Sequence, residues 1–309
     1  MDSLTKVMAS PHIHCGRSTA GIMRDVIISL MPATIAGVMI FGWKSLLTIA
    51  VCVISCVVFE ALFNIIAKKQ QTVGDLSAAV TGLLLALNLS VNIPLWQCAV
   101  GSFFAIIIVK CIFGGIGNNI VNPAITARVF MLIAFEAMAA TAFPVGYDVD
   151  AVASATPLSM EKLPSLMDLF LGNHGGAIGE TCIAALLIGA VYLLVRRVIT
   201  WHLPALFIGT VFVFSYFMEG FDAVAALSFL MSGGLIIGAV FMATDYVTSP
   251  ATAWGKVIFG VGAGLLTGLI RYFSVYPEGV SYAILLMNIL TPFIDKWTQH
   301  KVFATGGKK

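Results

Sequence analysis

Apolar runs of about 20 residues follow one another along most of this chain, and they decide its solvent, because a helix needs roughly that many to cross the hydrocarbon of a bilayer. Leu46–Phe63 contains one acid, and Ala99–Val109 contains no charge. Hydrophobic residues make up 59% of the chain and charged residues only 10%, with a mean hydropathy of +0.99. A soluble domain is about one-quarter charged. Backbone amides find no water in lipid, so the spans must be helices or a closed barrel. The runs lack the two-residue alternation of a barrel strand. The expected class is an all-α polytopic membrane protein in lipid. A formal net charge of +2 says little about partners, and no nucleic acid is expected among them.

The hydropathy pattern predicts about ten transmembrane helices, near 26–43, 46–67, 74–92, 94–113, 123–141, 176–195, 203–219, 224–243, 256–273 and 280–297. With a cytoplasmic N-terminus, 14 of the 17 Lys and Arg residues fall at inner ends or loops, the exceptions being Lys44, Lys162 and Arg271. This positive-inside bias predicts that both termini are cytoplasmic and that the longest non-spanning stretch is extracytoplasmic. Residues 1–25 are then a cytoplasmic arm without the apolar core of a signal peptide. Residues 26–141 form a first five-helix half, 142–175 the outer loop, 176–297 a second five-helix half, and 298–309 a cytoplasmic tail. Five spans per half give the halves opposite orientations, the geometry of an inverted repeat. No repeated sequence accompanies it.

Of the six cysteines, none forms a C-x-x-C pair, so zinc or a cluster held within the chain is not expected. Cys52 and Cys56 read as small apolar residues packing between helices. Gly233, Gly234 and Gly238, and Gly260, Gly262, Gly264 and Gly268, recur at spacings that let helix backbones approach closely.

Chemistry is confined to four polar stretches. The outer loop carries Asp148, Asp150, Glu161 and Asp168 against Lys162, and within it Ser154-Ala155-Thr156-Pro157 displays a hydroxyl among small residues. A threonine before proline is pushed to extended geometry. By physics alone an ordinary acidic turn is the plainer reading. The second stretch is Gly114-Gly115-Ile116-Gly117-Asn118-Asn119-Ile120-Val121-Asn122-Pro123-Ala124 with Arg128 following, read as non-helical backbone at membrane depth, with Arg128 placed to meet an anionic group. Water channels also carry Asn-Pro-Ala, but on two opposite faces. The nearest second candidate, Ser249-Pro250-Ala251, falls on the same side. The third stretch, Phe241 to Pro250, sets Asp245 beside Thr244, Thr248 and Ser249, a set suited to a hard cation or a polar ring. The fourth pairs Arg271 with Glu278, most simply as a structural ion pair. Glu60, Asp75 and Glu136 are acids in or near spans.

Ser-Pro-His-Ile at 10–13, Gly-Asp-Leu-Ser-Ala-Ala-Val-Thr-Gly at 74–82, the Gly114–Arg128 run, Ser154-Ala155-Thr156-Pro157-Leu158, Gly-Glu-Thr at 179–181, Phe241–Pro250 and the stretch from Arg271 to Asn288 together resemble the Rnf D subunit / Nqr B subunit family. The matches run end to end in one order, and the short segment before Ser-Pro-His-Ile is more similar to the Rnf D branch. The resemblance implies an integral subunit of a hetero-oligomeric, ion-motive complex in the bacterial cytoplasmic (inner) membrane. That complex passes electrons between ferredoxin and NAD and couples the transfer to Na⁺ or H⁺ translocation. It also implies FMN joined through its phosphate to Thr156 by a separate flavin transferase, which would read Asp150, Ser154 and Ala155. Ser154-Ala155 stands where the family usually has glycine or another small residue. A noncovalent riboflavin is implied as well, and Asn122, Arg128 and Asp245 are the candidates for that second flavin or for the coupling ion. The competing expectation is a non-redox solute channel or carrier of the urea-transporter kind.

Overall fold

The computed structural model describes residues 18–135, 142–145, 164–274 and 279–299, and among them every extended element is a helix. The helices are α1 Thr19–Phe41, α2 Trp43–Ile66, α3 Ser77–Leu87, α4 Leu95–Cys111, α5 Pro123–Ala134 and α6 Leu166–Leu171. They continue with α7 Ile183–Val195, α8 His202–Met218, α9 Ala223–Met231, α10 Leu235–Met242, α11 Ala253–Phe273 and α12 Val280–Thr298. The chain is an all-α polytopic membrane protein, turned inside out relative to a soluble fold. Large apolar side chains such as Met39, Trp43, Ile54 and Ile188 are exposed around the bundle, while Glu60, Lys110, Arg128 and Glu180 are 2–3% exposed. Ionisable groups in lipid are costly and turn inward to partners.

Each of the ten expected spans contains a helix, but ten uninterrupted spans are not what folds. Among the described residues only α1, α2 and α11 are long and apolar enough to cross alone, and α9 and α10 pass the same test only as a pair, bent by 69° at the break between them. Expected span 74–92 is α-helical only at Ser77–Leu87 and span 176–195 only from Ile183, while the described part of span 123–141 is helical over Pro123–Ala134. Hydropathy registers apolar residues whether or not they coil, so it cannot see these breaks. Among the described residues, 88–91, 174–182 and 232–234 are buried or nearly buried backbone that is not α-helical.

Local chemistry explains where the helices start. Asn122 caps α5, its Oδ1 accepting from the Ala124 N–H at 3.0 Å and the Ile125 N–H at 3.3 Å, while Pro123 occupies the first turn, where no donor is needed. Asp222 caps α9 through the Val224 N–H at 2.8 Å, and Thr252 caps α11 through the Gly255 N–H at 3.0 Å. Gly233, at φ +67°, makes the left-handed step that bends α9 away from α10. The C-terminal parts of α4 and α10, Phe104–Cys111 and Gly238–Met242, are π-helical, a geometry that often marks functional sites.

The two halves pack by the same scheme. In the first, α2 packs on α3 and α4, and α4 on α5; in the second, α8 packs on α9 and α11, and α11 on α12. α1 meets α7 and α5 meets α12. Gly260, Gly264 and Gly268 form the seam of α11 against Leu206, Thr210 and Phe214 of α8, so these glycines serve close packing. The re-entrant segment 174–182 is stitched to the end of α3, with Gly179 N–H donating to Leu87 O at 2.7 Å and Ile178 N–H to Leu89 O at 3.1 Å. Gly176 N–H donates to Ala142 O at 2.9 Å, and Val145 N–H to Ile40 O at 2.9 Å.

Candidate functional site

One end of the bundle gathers the start of α1, the start of α3, the end of α7 and the connections 112–122 and 243–252. Between them lies a pocket whose walls include Ile22, Met23, Val80, Leu84, Leu193 and Phe241, with Ser77, Thr81, Lys110, Asn119, Asn122, Thr244 and Asp245 supplying polar atoms. Apolar walls with a few converging polar groups are what a small aromatic or polar ligand requires. The residues present therefore fit a flat ring with a hydrogen-bonding edge.

Two of the three described candidate residues line this pocket, and the third stands one turn deeper. Asn122 does more than cap α5: its Nδ2 donates to Met242 O at 3.3 Å. Its own N–H donates to Asn288 Oδ1 at 3.1 Å, and the Asn288 amide donates to Thr248 O at 3.2 Å, with that amide oriented to satisfy both neighbours. Thr248 in turn donates its hydroxyl to Asp245 Oδ2 at 3.2 Å, and Thr291 donates to Thr248 O at 2.9 Å. Asp245 lies in the connection between α10 and α11, and burial pushes its carboxyl above the usual carboxylate range, against the lowering effect of the Val247 N–H and Thr248 hydroxyl. Arg128 meets the anionic group Glu180, with 3.7 Å between Nη2 and Oε2, and its Nη1 donates to Asn88 Oδ1 at 2.7 Å. Asn88 links back to the pocket by donating to Leu84 O at 2.7 Å and lying 3.5 Å from Met242 Sδ. Asp245 is thus joined to Asn122 through Thr248 and Asn288, and Arg128 to Asn88 and Glu180, with Met242 standing between the two sets.

The glycine run at 114–117 takes positive φ at Gly114, Gly115 and Gly117, but it is largely exposed and connects α4 to α5 at the bundle's end. This corrects the expectation of non-helical backbone at depth there: of residues 114–122 only Asn119 and Asn122 are buried, and the buried Pro123 and Ala124 already belong to α5. Arg271 has partners on the helix that breaks before α10. Its Nη1 donates to Phe229 O at 2.8 Å and its Nη2 to Ser232 O at 2.9 Å, satisfying carbonyls freed where α9 breaks. Glu278 lies outside the described residues. So do Thr156, Asp150, Ser154 and Ala155, as well as Glu136, His12 and His14. The described flanks of that loop, Val145 on Ile40 and Gly172 against Cys182, sit at the end of α1 opposite the pocket.

A second buried constellation surrounds Lys110. Its Nζ is 3.0 Å from Glu60 Oε1 and 3.1 Å from Oε2, and it donates to Ser77 Oγ at 2.6 Å. Thr72 donates to Glu60 at 2.7 Å, Asn64 donates to Thr72 at 3.0 Å, and Asp75 accepts from the Ser77 N–H at 2.7 Å. At the same end, Asp25 of α1 takes Arg196 at 3.1 Å and the Tyr192 hydroxyl at 3.2 Å. Sequence reasoning counted Lys110 and Arg196 only as basic residues at inner ends and passed over Asn88 and Asp25. An Arg or Lys within an apolar run is the one signal that a buried acid must lie nearby. Among the described residues no group of three or more His, Cys, Asp and Glu side chains could hold a metal ion.

The NQR2, RnfD, RnfE family profile matches residues 6–304. The chain is 46% identical over 308 residues to the D subunit of the Na(+)-translocating ferredoxin:NAD(+) oxidoreductase complex of Acetobacterium woodii, covering 96% of this chain and 95% of that protein. It is 41% identical to the D subunit of the proton-translocating ferredoxin:NAD(+) oxidoreductase complex of Clostridium ljungdahlii, over 97% and 96% of the two chains. With the D subunit of the ion-translocating oxidoreductase complex of Halorhodospira halophila it shares 32%, over 97% and 96%. Similarity of this extent, spread over both halves and every polar stretch described above, leaves one assignment: the chain belongs to the NQR2, RnfD, RnfE family.

Proposed function

We propose that this chain is the integral membrane subunit of an Rnf-type ferredoxin:NAD oxidoreductase complex, carrying FMN on Thr156 as an electron-transfer centre coupled to Na⁺ or H⁺ translocation. The observation that carries the reading is full-length identity of 46% and 41% to D subunits of two such complexes. It acts with the other subunits of its complex, not as an independent enzyme. It sits in the cytoplasmic membrane with both termini inside, so the Thr156 loop is extracytoplasmic and open to a flavin transferase. The relatives' names include both a sodium and a proton pump, so overall similarity leaves the coupling ion open.

Thr156 serves as an anchor through a phosphoester to its hydroxyl, with Asp150, Ser154 and Ala155 read by the transferase. FMN, when bound, supplies one- and two-electron transfer, and an ester at the phosphate leaves its ring unmodified. The residues of the chain provide the rest. The pocket on Asn122 and Asp245 offers a noncovalent riboflavin an apolar wall with an amide and a carboxyl, and the same oxygens suit a hard cation. The bonds that run from Asp245 through Thr248 and Asn288 to Asn122 hold that pocket's edge in one arrangement.

The test is to produce the chain with its flavin transferase and look for in-gel fluorescence after denaturation. A fluorescent band lost in Thr156→Val, with a Thr156 peptide heavier by FMN less water, is the expected result. A dark band beside an active transferase would refute the tethered flavin and favour a solute carrier of the same fold.

A further inference from the structure

The pocket ends at a charge. Leu84 of α3 and Ala124 of α5 line its inner wall, and the residues one turn further along the same faces are Asn88 and Arg128. Those two are bonded to each other at 2.7 Å, next in line behind the pocket's inner wall. Among the described residues, Glu180 of segment 174–182 and Gly234 at the start of α10 both approach Arg128. A Cβ built on Gly234 would lie 3.2 Å from Arg128 Nη1 and 3.2 Å from Glu180 Oε2, so the absent side chain is what lets the pair sit at this junction.

We infer that Arg128 is the electrostatic seal of the pocket, a fixed guanidinium that bars cations from crossing the half-helix junction while leaving the pocket open to its own end. The inference rests on the reading of this subunit as a neighbour of an ion path. Guanidinium keeps its charge at every accessible pH, and a fixed positive charge in a narrow passage excludes cations. Asn88, itself tied to Leu84 O, fixes the group's position. Glu180 faces it at 3.7 Å, and Glu180 Oε2 makes no hydrogen bond, so the carboxylate offsets the cost of burying the charge without displacing it. Such a seal lets the membrane hold an ion gradient when no electrons flow.

The assay uses the assembled complex in proteoliposomes without any electron donor, following radiolabelled Na⁺, H⁺ by a trapped pH dye, and radiolabelled chloride. It reads passive flux, so it holds whether or not Thr156 carries FMN. Wild-type vesicles should be tight. Arg128→Met should raise Na⁺ or H⁺ flux at least tenfold with chloride flux unchanged, and Arg128→Lys should remain tight. Arg128→Gln keeps a donor for Asn88 and should leak in the same way, guarding against an Arg128→Met variant that does not assemble. The decisive contrast is Glu180→Gln, which breaks the same ion pair but leaves the positive charge, and should stay tight. Equal leak in Arg128→Met and Glu180→Gln, leak of chloride alongside cations, or tight vesicles throughout would each overturn the assignment.

Discussion

Replacing Lys110 by Met leaves the Glu60 carboxylate buried at 2% exposure without its counter-charge. The pair is close, 3.0 and 3.1 Å to the two carboxylate oxygens, and both side chains are almost completely enclosed. Removing one partner of such a pair costs about 3–5 kcal/mol, because a lone buried charge remains. At 1.36 kcal/mol per tenfold, the folding equilibrium falls by roughly a hundred- to several-thousand-fold. Glu60→Leu should cost a similar amount, since it leaves the ammonium. If the two effects were independent, the double variant would lose about 6–10 kcal/mol. The structure argues otherwise. With both charges gone, the chief residual cost is the Ser77 hydroxyl, which loses Lys110 as a donor, about 1–3 kcal/mol. The double variant should therefore be more stable than either single one. Equilibrium unfolding in mixed micelles with a rising fraction of denaturing detergent measures all four members of the cycle. A double variant whose loss equals the sum of the single losses within about 0.5 kcal/mol would refute the pairing argument.

Glycine packing makes a matched pair of expectations. A Cβ at Gly189 would fall 2.1 Å from Ser29 O, so Gly189→Ala should force α1 from α7 and cost at least about 1–3 kcal/mol, while Gly209 has nothing within 4 Å and Gly209→Ala should be neutral or stabilising by about 1 kcal/mol; thermal melting of the two variants compares them directly. Asn122→Ala removes the α5 cap and the bond to Met242 O, so a loss of about 1–3 kcal/mol is expected in the same detergent titration. Burial raises the Asp245 carboxyl, so the native state holds its proton more tightly than the unfolded chain; the associated stability is complete below the unfolded carboxyl range and is lost as pH rises through the raised value. Asp245→Asn should flatten that decline of melting temperature with pH, and an unchanged slope would show that Asp245 is not its source.

Much of the class was legible in composition and order alone. Apolar runs demand lipid because backbone amides there must bond internally, and each expected span does contain a helix. The cap at Asn122-Pro123 and the tight glycine seam of α11 are local rules of residue type and spacing, visible without a fold. Interior breaks escaped that reading because Asn88, Gly179 and Ser232 sit among residues as apolar as those that coil. Their backbone bonds are made across segments far apart in sequence, such as Gly179 to Leu87.

Which polar residues meet is the part that only tertiary structure decided. Asp245 and Asn122 stood in separate stretches with nothing in their spacing to join them, and Asn288 closes the link through Thr248. Glu180 was one letter of a short motif until Arg128, on another helix, was found 3.7 Å away. The physical reason is the solvent. Lipid leaves a buried charge no partner but another residue of the protein, so the chain announces by its rare charges that pairs exist. Only the packing of the helices determines which residues pair.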